Sequence, residues 1–112
     1  MAVHDQMMKG LLDGAILGLI SQGETYGYEI IERLKHNEFP EVSDGSIYPV
    51  LLRLDKKGYV STRMVKSDNG GPKRKYYTIT EVGMSELTVF KKKWVELNLG
   101  MNNLMRSVGD AE

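Results

Sequence analysis

At 112 residues, with 15 basic and 15 acidic side chains and a formal charge of zero, the chain has the size of one domain with a modest core. The absence of cysteine excludes disulfides, a thiol nucleophile and thiolate metal ligation. No apolar run reaches membrane-spanning length and Met1 to Lys9 lacks the layout of a signal peptide, so a cytoplasmic protein with no membrane partner is expected. The zero net charge hides an asymmetry. Lys56, Lys57, Arg63, Lys66, Lys73, Arg74 and Lys75 face a single anion, Asp68, between Lys56 and Tyr76, so that segment is +6 and the remainder is −6. Such a segment makes a local field that a polyanion can read.

Met8 to Ser21 is predicted as a helix, with Met8, Leu12, Ala15, Ile16 and Leu19 on one stripe. Gly10, Gly14 and Gly18 weaken it, and their four-residue spacing suits close packing of another backbone. Thr25 is expected to cap a second helix from Tyr26 to about Asn37 that buries Ile30, Ile31 and Leu34, with Tyr28 also in the core. Glu38 to Glu41 is a connector, since Pro40 pushes Phe39 out of helical geometry.

The third helix follows, through Gly45 to Lys57. Ile47, Val50, Leu51 and Leu54 form its core-facing stripe, and Gly45, Pro49, Arg53 and Lys56 point roughly the other way. Leu52 is the one bulky apolar exception on that outer face. Pro49 requires the helix to begin close to Ser46 or to bend in its first turns. Gly58 ends it. Tyr59–Val65 and Lys75–Thr80 are paired strands, joined through the turn formers Asp68, Asn69, Gly70, Gly71 and Pro72. Three helices and then a hairpin is the order of a winged helix-turn-helix, a mainly α fold with a small β-hairpin. A helix with a small tip beside a basic hairpin suits the major groove of DNA.

Thr80 and Glu81 open a final helix in which Leu87, Phe90, Trp94, Leu97, Met101, Leu104 and Val108 step by three and four, the a/d pattern of a coiled-coil seam. Such a narrow stripe calls for the same helix of a second chain, or for the first helix of a partner through Met8 and Leu12. The alternative is a helix folded back on its own domain. Asn98, Gly100, Asn102 and Asn103 lower helicity toward the end, and residues 106–112 are expected to form a loose tail. The chain then divides into a DNA-binding part, 1–80, and a dimerisation part, 81–112.

Phosphate contacts are assigned to Lys66, Lys73, Arg74 and Lys75, with Lys56 and Lys9 next. Ser46, Tyr48, Pro49 and Arg53 are candidates for the groove, and Tyr26 can serve either the DNA or the core. Trp94, on the seam, would face its own copy across a symmetric axis. Two indoles can sandwich a planar aromatic there, with Phe90, Leu97 and Met101 lining the space, or the ring can simply seal the interface. His4 and His36 stand apart with no serine or carboxylate beside them, and no phosphate loop or metal-ligand cluster is present, so neither catalysis nor a metal or cofactor is expected. A winged helix that binds protein and a small-molecule-binding dimer without DNA are the competing readings.

Lys9-Gly10-Leu11-Leu12-Asp13, Gly27-Tyr28-Glu29-Ile30, Gly45-Ser46-Ile47-Tyr48-Pro49 with Leu51, Arg53-Leu54 and Gly58, and Gly71-Pro72-Lys73-Arg74-Lys75-Tyr76-Tyr77-Thr78-Ile79-Thr80 together resemble the PadR family of bacterial transcription regulators. The resemblance spans roughly residues 8 to 86, and the short single terminal helix is similar to the compact subgroup of the family. It implies a homodimeric repressor whose third helix enters the major groove and whose wing lies along the backbone or minor groove. It also implies an effector, a phenolic acid or a planar drug, that releases the DNA.

Overall fold

The computed structural model describes Met8, residues 10–39 and residues 42–109. Helix α1 spans Leu11–Ile20, strand β1 Thr25–Tyr26, α2 Gly27–His36, α3 Asp44–Lys56, β2 Val60–Val65, β3 Arg74–Ile79 and α4 Glu81–Met105. Gly10, at φ 85, takes a left-handed conformation open to glycine and breaks the predicted Met8–Ser21 helix. Met8 lies before the break, partly buried against the core.

The stripe read for α3 is the centre of that core. Ile47 and Leu51 are fully buried, together with Ile16 and Ile20 of α1 and Ile30 and Leu34 of α2. Helix α3 begins at Asp44, upstream of the predicted start, with Pro49 inside it. The bond that Pro49 cannot make would go to the carbonyl of Gly45, an exposed residue in the first turn. The end is firmer. Tyr59 N–H donates to Leu54 O and Gly58 N–H to Asp55 O, both at 3.0 Å, with Gly58 at φ 76, a Schellman closure that turns the chain into β2.

The sheet has three antiparallel strands in the order β1-β3-β2, one more than the hairpin predicted. In the hairpin Val60 faces Ile79 and Val65 faces Arg74; on the other side of β3, Thr25 faces Tyr77 and Tyr26 faces Tyr76. This third strand corrects the reading of Thr25 as a helix cap. Tyr26 is extended (φ −135, ψ 167) and occupies the cap position, while the buried Thr25 hydroxyl donates to the Glu29 carboxylate.

Helix α4 is docked at its start. Thr80 Oγ1 accepts from Gly83 N–H at 3.0 Å and donates to Gly58 O at 2.7 Å, and a Cβ on Gly83 would overlap the carbonyl of Tyr59. One turn on, Leu87 lies over Gly18 and the Phe90 ring fills the space a Cβ on Gly14 would take. The glycines of α1 therefore receive side chains, not the backbone that their spacing suggested. Beyond Phe90 every residue of α4 is exposed, and the helix runs unbroken through Asn98, Gly100 and Asn102 to Met105.

Candidate nucleic-acid interface

The turn after α3 is tight, so the hairpin folds back beside the helix and leaves an open cleft of about 880 Å³ between them. Lys66, Lys73, Arg74 and Lys75 line it from the wing, Tyr26 and Tyr28 from the start of α2, and Tyr48 and Leu52 from α3. Six of the predicted contact residues (Tyr26, Tyr48, Lys66, Lys73, Arg74 and Lys75) are thus brought to one place. Pro49, Arg53 and Lys56 border a neighbouring shallow hollow on α3, and Ser46 is half-buried in the first turn of the helix. Lys9 lies outside the described residues.

The aromatic rings set the shape of the cleft. Tyr26 meets Tyr76 edge to face at 5.3 Å between centroids, and the Arg74 guanidinium stands 4.1 Å above the Tyr26 ring. Tyr48 can lie against α2 because position 27 is glycine; a Cβ there would be 2.6 Å from its hydroxyl. Tyr28, expected in the core, is 58 % exposed, because the buried stripe of α2 runs through Gly27, Ile30, Ile31 and Leu34. Its ring faces the cleft instead.

Two of the cations are already partnered. Asp13 on α1 accepts from both Nε and Nη2 of Arg53, at 2.9 and 2.5 Å. Glu24 accepts from Nε and Nη2 of Arg63, both at 2.6 Å. The Asp13 hydrogen bond holds the Arg53 guanidinium further above its ordinary range, and Arg63 holds the Glu24 carboxyl below the usual carboxylate value. Among the described residues, Lys66, Lys73, Arg74 and Lys75 have no carboxylate at ion-pair distance. The positive field at the cleft therefore comes from the wing.

The other candidate surface is α4. Trp94 is 44 % exposed, Leu97 and Leu104 are each 63 % exposed, and Met101 is exposed with them. Phe90 and Leu87 are half-buried against α1, so within one chain they extend the core. Leu12, expected on the seam, is buried in the chain's own core, which corrects that assignment. Leu52, the apolar exception on the outer face of α3 that the sequence did not assign to the site, borders both the cleft and the hollow. Its signal, an apolar side chain on a polar helix face, was present in the sequence. Among the described residues no group of three metal-ligating side chains occurs, and no helix is long and apolar enough to cross a membrane.

A profile of the PadR-like transcriptional regulator family matches residues 16–89. The chain is similar to a PadR-like transcriptional regulator from Bacillus cereus strain ATCC 14579, with 46 % identity, 94 % of this chain and 99 % of that one covered, and a TM-score of 0.79. It is 35 % identical over 79 residues to the negative transcriptional regulator PadR of Bacillus subtilis strain 168, covering 69 % of this chain and 43 % of that protein. The structure of Bacillus subtilis PadR in complex with operator DNA superimposes with a TM-score of 0.66 at 32 % identity, over 72 % of this chain and 46 % of that one. This chain thus spans less than half the length of the Bacillus subtilis protein.

Proposed function

The chain belongs to the PadR-like family of transcriptional regulators, and from that membership we propose that it binds operator DNA as a homodimer and represses transcription until a small aromatic effector loosens the complex. Members of this family are regulators, not enzymes. The observation that carries the proposal is the cleft between α3 and the wing, where four cations with no carboxylate partner among the described residues stand beside an exposed helix face. Lysine and arginine that neutralise phosphates release the counterions condensed on DNA, so these four supply affinity, while α3 supplies contact with base edges. The Bacillus subtilis relative, described as a negative regulator and solved on operator DNA, supports both the ligand and the sense of regulation.

In this reading residues 1–80 bind DNA and residues 81–112 pair two chains, with Leu87 and Phe90 tying the parts together. Ser46, Tyr48, Pro49 and Lys56 approach the duplex along α3. Trp94, Leu97, Met101 and Leu104 close the dimer, and the paired Trp94 indoles are the stacking surface for a phenolic acid or planar drug. The test follows Trp94, the single tryptophan, by fluorescence while a gel shift is run on DNA upstream of the chain's own coding sequence. Flavin-like or phenolic compounds are expected to quench Trp94 at a fixed stoichiometry and to reverse the shift. A shift that persists unchanged under full quenching would separate ligand binding from regulation.

A further inference from the structure

The midline of the outer face of α3 is formed by Gly45, Pro49, Leu52 and Lys56, opposite the buried Ile47, Val50, Leu51 and Leu54. Before Lys56 none of these side chains can donate or accept a hydrogen bond. Leu52 is 55 % exposed, a ridge between the cleft on its wing side and the hollow made with Pro49, Arg53 and Lys56. Arg53, the one guanidinium on the helix, lies to the flank and is fixed by two hydrogen bonds to Asp13. Those bonds take the Nε–Nη2 edge and tie α3 to α1, so Asp13 sets where the guanidinium sits and only its Nη1 side stays open.

We propose that α3 reads thymine methyl groups by apolar contact, with Leu52 as the specificity-determining residue and Pro49 beside it, and that Arg53 is a positioning residue joining α1 to α3. The proposal rests on the DNA-binding reading above and adds to it the kind of base that is read. The C5-methyl of thymine is the apolar feature of the major groove, and an exposed leucine gains by covering it. Each side of the contact is poorly solvated when free and is removed from water when the two meet.

Deoxyuridine tests this directly, because it removes the methyl and keeps every hydrogen-bonding atom of thymine. A duplex enriched from a random pool by the full-length protein is rebuilt with deoxyuridine at one thymine at a time. At one or two positions in each half-site, wild-type binding is expected to weaken about fourfold, the equivalent of roughly 0.8 kcal/mol for one methyl-sized group. Leu52→Ala is expected to bind the thymine and deoxyuridine duplexes equally, and Asp13→Asn, with Arg53 released, to keep the wild-type preference for thymine. A flat deoxyuridine scan on an enriched sequence overturns the proposal and leaves DNA binding intact, as does a Leu52→Ala protein that still discriminates. Failure to enrich any sequence removes the DNA-binding reading and this proposal with it. The wild-type scan needs no variant, so it stands whatever Leu52→Ala does to folding.

Discussion

The wing end of the molecule and the outer half of α4 are exposed in chemically opposite ways. At the wing end, the cleft is lined chiefly by lysines, an arginine above a tyrosine ring, and phenols, which rest comfortably in water, with Leu52 the apolar exception. Along α4, Trp94, Leu97, Met101 and Leu104 present one apolar stripe with nothing of the same chain over it. A charged surface can wait for its ligand, whereas a contiguous apolar stripe of large side chains marks an interaction surface. The first region is therefore complete in one chain. The second lacks a cover within one chain, and in the proposed function a second copy supplies it and sets two wings on one duplex.

The largest effect is expected where that completion fails. Leu97→Asp puts two carboxylates into the proposed seam and removes two buried leucines, about 3–6 kcal/mol over both copies, so light scattering should report a dimer for the wild type and a single chain for the variant. A dimeric Leu97→Asp would move the interface elsewhere. Next is the joint between the regions. Gly83→Ala drives a methyl into the Tyr59 carbonyl, which backbone cannot yield cheaply, and should destabilise by about 1–3 kcal/mol, seen as a melting point lower by about 4–12 °C.

Smaller still are the contacts of the wing. Arg74→Ala and Lys75→Ala should each weaken binding to all duplexes similarly and lower the slope of log affinity against log salt by about one. An unchanged slope would take the wing out of the interface. The least effect concerns Glu24, whose carboxyl is held below its ordinary 4.5 chiefly by the Arg63 hydrogen bond. A depressed folded-state value means that this pair stabilises the fold above about pH 4.5 and loses that contribution as pH falls through the depressed value. Melting curves of Glu24→Gln should therefore lie below the wild type at neutral pH and converge with it in acid. A constant gap across the pH range would assign the difference to packing.

Local periodicity was legible, and pairing across the chain was not. Ile47, Val50, Leu51 and Leu54 lie within eight residues, so the helical period alone identifies the buried face of α3. The hairpin was legible too, and Trp94, Leu97, Met101 and Leu104 share one face of α4, which is exposed in the single chain. Strand β1 was invisible because two residues carry no period; Thr25 and Tyr26 become a strand only through Tyr76 and Tyr77. Arg53 read as a free groove cation because its partner Asp13 is 40 residues away, and Arg63 met Glu24 over a separation of 39. Tyr28 was misplaced because it lies off the buried stripe of Gly27, Ile30, Ile31 and Leu34, where Gly27 admits Tyr48. For the site, the residue types were readable and their mutual occupancy was not.

The mass of the protein–DNA complex at low ionic strength tests the central claim most directly. Two chains on one duplex carrying the upstream sequence, assembled from a protein already dimeric in free solution, is the predicted result. A free protein with the mass of one chain, whose mass does not change when the duplex is added, would contradict it.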